Sequence, residues 1–311
     1  MHEAYPDVSG RTALITGGAG FIGSHLAEAL VADNEVRVLD DLSSGSPEYL
    51  PEDARLIEGD VCDPATVREA MDGVDLVFHE AALVSVEESV ENPPASNRVN
   101  ARATVDLLEA ARERDARVVL ASSAAVYGHP ESVPVEEDDP KTPTAPYGID
   151  KLSLDHYARR YHDLYGLETV PLRYFNVYGP RQNPEYSAVV SVFFRQAAEG
   201  GPITVEGDGE QTRDFVHVSD VVRANLLAAT TDSVGEPFNV ATGSSVTINE
   251  LAETVRAVTD ADAEITHVDP RPGDIRHSEA DVSKAREQLG YEPTVSLREG
   301  LQRLAESQGF R

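Results

Sequence analysis

The sequence feature that most constrains the fold is a glycine-rich turn between an apolar segment and a helical pattern. The apolar run over 12–15 predicts a short buried strand, and the pattern from Ser24 onward predicts a helix. Between them lie Gly17, Gly20 and Gly23. These glycines permit a tight turn, a close approach of backbone to a pyrophosphate, and close packing of helix on strand. Because a helix N-terminus favours an anion, the turn predicts a dinucleotide site.

A second predicted strand, over 35–40, indicates which dinucleotide binds. It ends in Asp40, about 20 residues beyond the turn, where a carboxylate would meet the ribose hydroxyls. Asp41 follows, and no Lys or Arg occurs over 42–45. A 2′-phosphate would face two carboxylates without a cation, so the sequence predicts NAD rather than NADP.

Strand and helix patterns alternate through the first half of the chain. Alternation at this spacing implies parallel βαβ units, so we expect an α/β fold with a doubly wound parallel sheet. The acid- and proline-rich segment 136–146 is interpreted as a surface loop. Further strands are predicted at 55–60, 75–79 and 117–121, and helices at 64–71, 94–114, 147–165, 187–199, 219–231, 247–259 and 282–289.

The chain is long enough for a dinucleotide domain and a smaller substrate lobe. We expect the first to comprise 1–175 and 214–242, and the second 176–213 and 243–311. The substrate would lie in the cleft between them, at the carboxyl ends of the strands.

The chain is strongly acidic. Its 311 residues include 26 Lys and Arg against 55 Asp and Glu, a formal net charge of −29, and only Lys141, Lys151 and Lys284 are lysines. Self-repulsion of this size destabilises a compact state unless counter-ions screen it, which favours a salty cytoplasm and a halophilic source. The alternative is an acidic protein without that adaptation. Such a charge repels nucleic acid and anionic membranes.

Other features of the composition exclude several classes of protein. No apolar run approaches the roughly 18 residues of a membrane helix, and no charged-then-apolar segment precedes the first predicted strand. We therefore expect neither a membrane segment nor a signal peptide. The single cysteine, Cys62, excludes an internal disulfide, and without a Cys/His cluster we expect no metal site.

Candidate catalytic residues follow the predicted strand 117–121. Ser122 and Ser123 stand at its carboxyl end, and Tyr147 and Lys151 share one face of a predicted helix. A tyrosine with its pKa lowered by a nearby ammonium and by the positive nicotinamide ring can take a hydroxyl proton. Ser123 would hydrogen-bond the same oxygen.

Taken together, these motifs resemble those of the extended short-chain dehydrogenase/reductases, the nucleotide-sugar epimerases and dehydratases. The resemblance covers nearly the whole chain and implies a Rossmann sheet, with Tyr147 as base, Ser123 as its hydroxyl partner and Lys151 on the nicotinamide ribose. It rests on the glycine turn, Ser123, the Tyr147–Lys151 spacing and the segments 173–181, 207–218 and 271–278.

The resemblance and the strand positions together suggest the ligand contacts. Asn176 and Arg181 would hold the substrate, and Arg213 and Arg271 would pair with its phosphates, since arginine forks match phosphate oxygens. Predicted cofactor contacts are Gly17, Gly20, Phe21, Ile22, Gly23, Asp40, Asp60, Val61, Ala81, Ala82, Asn100, Tyr147 and Lys151; further substrate contacts are Ser85, Ser123, Asp274 and Ser278.

The residues after Ser123 indicate the reaction. Resembling dehydratases and decarboxylases carry acidic residues there, whereas this chain has Ala124 and Ala125. That difference favours reversible oxidation at C4 of an NDP-sugar, hence 4-epimerisation. Two alternatives stay open: a related oxidoreductase (a 4-keto-sugar reductase or a dehydratase), and a non-catalytic NAD-dependent sensor. The sequence leaves the nucleotide base and the physiological sugar undetermined.

Two finer expectations come from the same resemblance. In resembling epimerases the residue at position 278 borders the sugar pocket, and a small residue admits an N-acetyl group where tyrosine excludes it. Ser278, with Ser85, therefore predicts activity on UDP-glucose and UDP-galactose and on their N-acetylamino counterparts. The family usually pairs through two helices, here 94–114 and 147–165, so we expect a homodimer.

Overall fold

A parallel sheet of seven strands forms the centre of the computed structural model, which describes residues 5–183, 189–271 and 273–310. The strand order is β10-β6-β5-β4-β1-β2-β3, and every neighbouring pair is parallel. The predicted α/β class is confirmed. The strands are β1 Thr12–Thr16, β2 Glu35–Asp40, β3 Arg55–Glu58, β4 Leu76–His79, β5 Arg117–Ser123, β6 Thr169–Tyr174 and β10 Phe238–Val240.

The strands β1, β4, β5 and β6 are buried on both faces because they are largely apolar runs. Ala13, Leu14 and Ile15 of β1 have no exposed surface. Their side chains alternate between two cores, one with Leu26 and the other with Leu107. The helices that cover the sheet are α1 Phe21–Leu30, α2 Pro64–Ala70, α5 Ala103–Arg112, α6 Pro146–Tyr165, α8 Val218–Ala228 and α10 Ser283–Leu289.

The predicted long helix over 94–114 is wrong in detail. The structure has α4 Pro93–Asn97, a π-helical turn Arg98–Arg102, and then α5. A single π turn is too short to be distinguished from α-helix by the spacing of apolar residues. The short helix α3, Val86–Glu91, lies just before α4 and was not predicted.

The smaller lobe contains two small sheets, β11-β9-β7 and β12-β8, and a separate apolar core. Its helix α7 begins at Val189 in the described chain, so Ser187 and Ala188 of the predicted helix lie outside the described residues. The strands are β7 Asn176–Tyr178, β8 Ile203–Glu206, β9 Thr212–His217, β11 Ser245–Thr247 and β12 Ile265–Val268, and the helices are α7 Val189–Ala198, α9 Ile248–Thr259 and α11 Leu297–Ser307.

Two segments differ in placement from the prediction. Helix α10 was assigned to the smaller lobe, but its Ala285 and Leu289 pack in the core beneath the large sheet. The segment 136–146 is not simply a surface loop, because Glu137 is buried there and its carboxylate accepts the Asn239 N–H at 2.8 Å. The buried Arg173 donates to the carbonyl oxygen of Glu137 at 2.8 Å.

None of the helices in the described part of the chain combines the length and the hydropathy needed to cross a membrane.

Candidate active site

The main cavity opens at the point in the sheet where the strand order reverses. Strands β2 and β3 lie on one side of β1, and β4, β5 and β6 on the other, so a crevice forms at their carboxyl ends. The cavity has a volume of about 600 Å³ and is lined by residues of both lobes. Its lining runs from the glycine turn to Arg271 of the smaller lobe.

The glycine turn is shaped so that only glycine fits at its ends. Gly17 has φ +66°, and a Cβ there would lie 2.7 Å from the Ala81 nitrogen. A Cβ on Gly23 would lie 2.6 Å from the Cα of Gly18. Gly20 precedes α1, whose N-terminus receives no side-chain cap and lines the cavity. This cradle fits a pyrophosphate, with Phe21 and Ile22 also lining the cavity.

Asp40 is held by the same turn. One carboxylate oxygen accepts the Ala19 N–H at 2.9 Å, and the other accepts the Leu42 N–H at 2.9 Å. Burial raises the pKa of Asp40, and these two hydrogen bonds partly oppose that shift. Asp40 and Asp41 both line the cavity.

Four of the predicted cofactor contacts follow strands β3 and β4, and three of these four line the cavity. Val61, Ala81 and Ala82 line the cavity. Asp60 instead accepts the Cys62 N–H at 2.8 Å and pairs with Arg98.

Asn100, in the π turn, is buried and hydrogen-bonds the loop that follows β4. Its amide oxygen accepts the Leu83 N–H at 3.0 Å, and its amide nitrogen donates to the Leu83 carbonyl at 2.9 Å. This pair of hydrogen bonds fixes the loop that carries Ala81 and Ala82. Ser85, which lines the cavity, also caps α3 by accepting the Glu88 N–H at 3.1 Å.

The structure brings Ser123, Tyr147 and Lys151 together on the cavity floor. Ser123 ends β5, and Tyr147 lies in the first turn of α6. The α6 N-terminus approaches β5 closely, since a Cβ on Gly148 would lie 2.7 Å from the Ala125 carbonyl oxygen. Lys151 Nζ donates to the Ala121 carbonyl at 2.6 Å and lies 5.9 Å from the centre of the Tyr147 ring.

Burial determines the titration of this group in the protein alone. It raises the pKa of Tyr147, although the hydrogen bond with Ser123 acts in the opposite direction. It lowers the pKa of Lys151 to about 8, opposed by the charges of Glu80 and Asp150. In the chain by itself, burial outweighs any lowering of the Tyr147 pKa by the Lys151 ammonium. A further positive charge is needed, and the nicotinamide ring would supply it.

Sequence reasoning missed Glu80 as a residue of the site. It follows β4, lines the cavity and accepts a hydrogen bond from the Tyr174 hydroxyl at 2.9 Å. Burial raises the pKa of Glu80 to about 7, with Tyr174 and Lys151 opposing. Its position just beyond the carboxyl end of a central strand was the available signal.

The predicted substrate residues fall into two sets. Asn176, Arg181 and Arg271 line the cavity. Arg271 makes two contacts of 3.1 Å with Glu206.

The other predicted substrate residues lie beside that lining. Arg213 donates to Asp274 at 2.5 Å, and the Ser278 N–H donates to the Thr212 carbonyl at 3.2 Å. Arg213 lies in β9 with Asp274 paired to it, Ser278 is hydrogen-bonded to the neighbouring Thr212, and none of these three residues is part of the cavity lining.

Across residues 5–183, 189–271 and 273–310, no group of three or more His, Cys, Asp or Glu side chains is arranged to hold a metal ion.

Fold and site together define an extended short-chain dehydrogenase/reductase. Residues 13–241 match the model of the NAD dependent epimerase/dehydratase family, and the chain belongs to that family.

Individual relatives match over nearly their whole length. The UDP-glucose 4-epimerase of Mycolicibacterium smegmatis is 40% identical over 303 residues, which cover 94% of this chain and 97% of the relative. The UDP-N-acetylglucosamine 4-epimerase of Methanobrevibacter ruminantium, solved with UDP-N-acetylmuramic acid, has a TM-score of 0.93 at 38% identity, covering 97% of this chain and 99% of that one. The UDP-glucose 4-epimerase of Thermus thermophilus, solved with NAD, has a TM-score of 0.88 at 37% identity, covering 96% and 99%.

Proposed function

We propose that this protein is an NAD-dependent 4-epimerase of UDP-sugars. The observation that carries the proposal is the meeting of Ser123, Tyr147 and Lys151 in one cavity with the uncapped glycine turn. Family membership and relatives that are UDP-sugar 4-epimerases support it.

Each residue of this group has a distinct task. Tyr147 takes the proton of the sugar 4-hydroxyl, and Ser123 hydrogen-bonds the same oxygen. Lys151, anchored on the Ala121 carbonyl, holds the nicotinamide ribose and places its positive charge near the phenol. NAD, when bound, supplies the acceptor for the C4 hydride and its return. Since the hydride returns, the cofactor is regenerated in each cycle.

The surroundings of Ser123 favour epimerisation over elimination or decarboxylation. Ala124 and Ala125 form a 3-10 turn after β5 and bring no acid toward the sugar. Glu80 is a carboxyl group in the cavity, but the Tyr174 hydroxyl holds it from the β6 side. These positions disfavour the dehydratase alternative, and the intact catalytic group disfavours a non-catalytic sensor.

Arginines beside the cavity suit the substrate diphosphate. Arg271 lines the cavity, and Arg213 lies close by with Asp274. Binding of a diphosphate would replace the carboxylate partners of these guanidinium groups with phosphate oxygens. We extend the proposal to N-acetylated sugars, with Ser85 of the cavity lining bordering the sugar.

We also propose a homodimer formed through α6 and the helical segment that ends in α5. Ile149, Tyr157, Leu164 and Tyr165 of α6 are large hydrophobic side chains exposed to solvent. A patch of this kind is typical of a protein interface. The net charge of −29 further suggests a salty cytoplasm and a halophilic source.

The proposal is tested by incubating the NAD-loaded protein with UDP-glucose and with UDP-N-acetylglucosamine and identifying products by NMR. We expect the C4 epimers without net reduction of added NAD. Tyr147→Phe should lower kcat by about 10³-fold, because it removes the proton acceptor but leaves the ring in place. Tyr157→Phe, on the exposed side of the same helix, is the matched control and should retain activity. Net reduction of NAD with each turnover, or normal activity in Tyr147→Phe, would contradict the mechanism.

A further inference from the structure

We infer that Arg181 is a clamp for the cofactor, bridging the smaller lobe to the helix that begins at the glycine turn. This inference rests on the proposed binding of NAD and assigns Arg181 a different partner from the substrate predicted from the sequence.

The contacts of Arg181 are directed at α1. Its Nη1 donates to Ser24 Oγ at 3.2 Å, and its Nη2 pairs with Glu28 at 2.5 Å. Beside it, His25 Nε2 donates to the Pro180 carbonyl at 3.1 Å. Three contacts thus join the segment after β7 to the first two turns of α1, whose N-terminus faces the cavity.

The guanidinium group also contacts an aromatic ring. Its central carbon lies 5.5 Å from the centre of the Tyr49 ring. Tyr49 belongs to a 3-10 turn that is connected to the glycine turn, since the Ser46 N–H donates to the Ala19 carbonyl at 2.9 Å. Arg181 therefore connects two elements on either side of the glycine turn, and both Arg181 and Tyr49 line the cavity.

The backbone at this position is strained. Arg181 has φ +68°, the left-handed conformation that residues other than glycine, Asn and Asp rarely adopt. Gly179, two residues earlier, has φ +151°, and a Cβ there would lie 2.7 Å from Val218. Such strain persists where surrounding contacts fix the conformation, and it concentrates at ligand clamps.

These observations assign a function to the contacts. A dinucleotide lying on the glycine turn would be enclosed by α1, the Tyr49 turn and the Arg181 side chain that joins them. To leave, it would require the ion pair with Glu28 and the stacking on Tyr49 to break together. A 4-epimerase gains from this arrangement because it returns its cofactor unchanged.

The test measures NAD release from the loaded protein without any sugar. Protein loaded with radiolabelled NAD is diluted into excess unlabelled NAD, and the retained label is followed with time. We expect Arg181→Ala to release NAD about ten-fold faster and Glu28→Gln to have a smaller effect in the same direction. Arg256→Ala is the matched control, because it also breaks an exposed arginine ion pair, with Glu253 on α9.

A second readout separates the clamp from a substrate contact. We expect Arg181→Ala to weaken UDP binding less than Arg271→Ala does. Unchanged NAD release together with a large loss of UDP affinity would overturn the clamp and leave the proposed function intact. Failure of the unsubstituted protein to bind NAD would overturn both. If Arg181→Ala does not fold, Arg181→Gln is measured in its place, with the same expectation.

Discussion

At the residue scale, the site depends on burial as much as on residue identity. The spacing of Tyr147 and Lys151, together with Ser123 at the end of a predicted strand, predicted one site, because four residues separate neighbours on a helix face. The pKa shifts were not predictable, since they depend on how much water the fold removes. Burial raises the pKa of Tyr147 and lowers that of Lys151. In the folded protein without NAD, burial therefore disfavours the charged form of each side chain.

Glu80→Gln tests this role of burial. Because burial raises the pKa of Glu80 from 4.5 to about 7, the folded protein holds a proton that the unfolded chain has lost between those pH values. This group's contribution to the free energy of unfolding is therefore present below pH 4.5 and lost as the pH rises through 7, by roughly 3 kcal/mol. Glutamine keeps an oxygen for the Tyr174 hydroxyl and removes the titration.

We expect Glu80→Gln to gain stability over the unsubstituted protein as the pH rises from 5 to 7, measured by urea unfolding without NAD. Glu87→Gln, in the nearby helix α3, serves as the control for loss of one carboxylate. A difference in stability that stays constant with pH would show that Glu80 does not titrate in this range.

At the element scale, strong patterns predicted the elements that position the site. The apolar run before the glycines forms β1, and the predicted strands 55–60, 75–79 and 117–121 correspond to β3, β4 and β5. Weak signals failed where an element is short or irregular. Helix α3 has six residues, and the π turn Arg98–Arg102 depends on packing against α6 that no local pattern encodes. Asn100 of this turn hydrogen-bonds the backbone of Leu83, a contact that the sequence pattern does not indicate.

Gly23→Ala tests the strand-turn-helix element as a cofactor cradle. The added Cβ would approach the backbone of Gly17 and Gly18, which cannot move without opening the turn. We expect NAD affinity, measured by calorimetry, to fall about 100-fold and the free energy of unfolding by about 2 kcal/mol. Gly201→Ala is the control, because nothing lies within 4 Å of a Cβ there. Equal effects of the two substitutions would show that close packing at Gly23 is unimportant.

At the scale of the whole molecule, the alternation of strand and helix patterns predicted a parallel sheet covered by helices. Contacts between residues distant in sequence were not predictable from it. The sequence pattern of 136–146 is acidic and proline-rich, yet Glu137 is buried against Asn239 and Arg173. Likewise α10 packs beneath the large sheet although it follows the smaller lobe's strands in the chain. The position of Glu137 depends on Asn239, about a hundred residues away, and that of α10 depends on the core of the large sheet. Local composition does not identify either partner.

The net charge of −29 gives a prediction for the molecule as a whole. Self-repulsion among carboxylates should weaken as salt shortens the Debye length from about 10 Å at 0.1 M to about 3 Å at 1 M. We expect the Tm to rise steadily from 0.1 M to molar KCl, most steeply below about 0.5 M, where screening dominates. A Tm independent of KCl in a calorimetric series would contradict adaptation to a salty cytoplasm.

The most direct test of the account is the fate of the hydrogen at C4. The NAD-loaded protein is incubated in ordinary water with UDP-glucose that carries deuterium at C4, and the product is examined by NMR and mass spectrometry. Because the hydride passes to the cofactor and returns within one site, we predict UDP-galactose that retains deuterium at C4. Product with hydrogen from water at C4, or no C4 epimer at all, would contradict transient oxidation by the Tyr147 site.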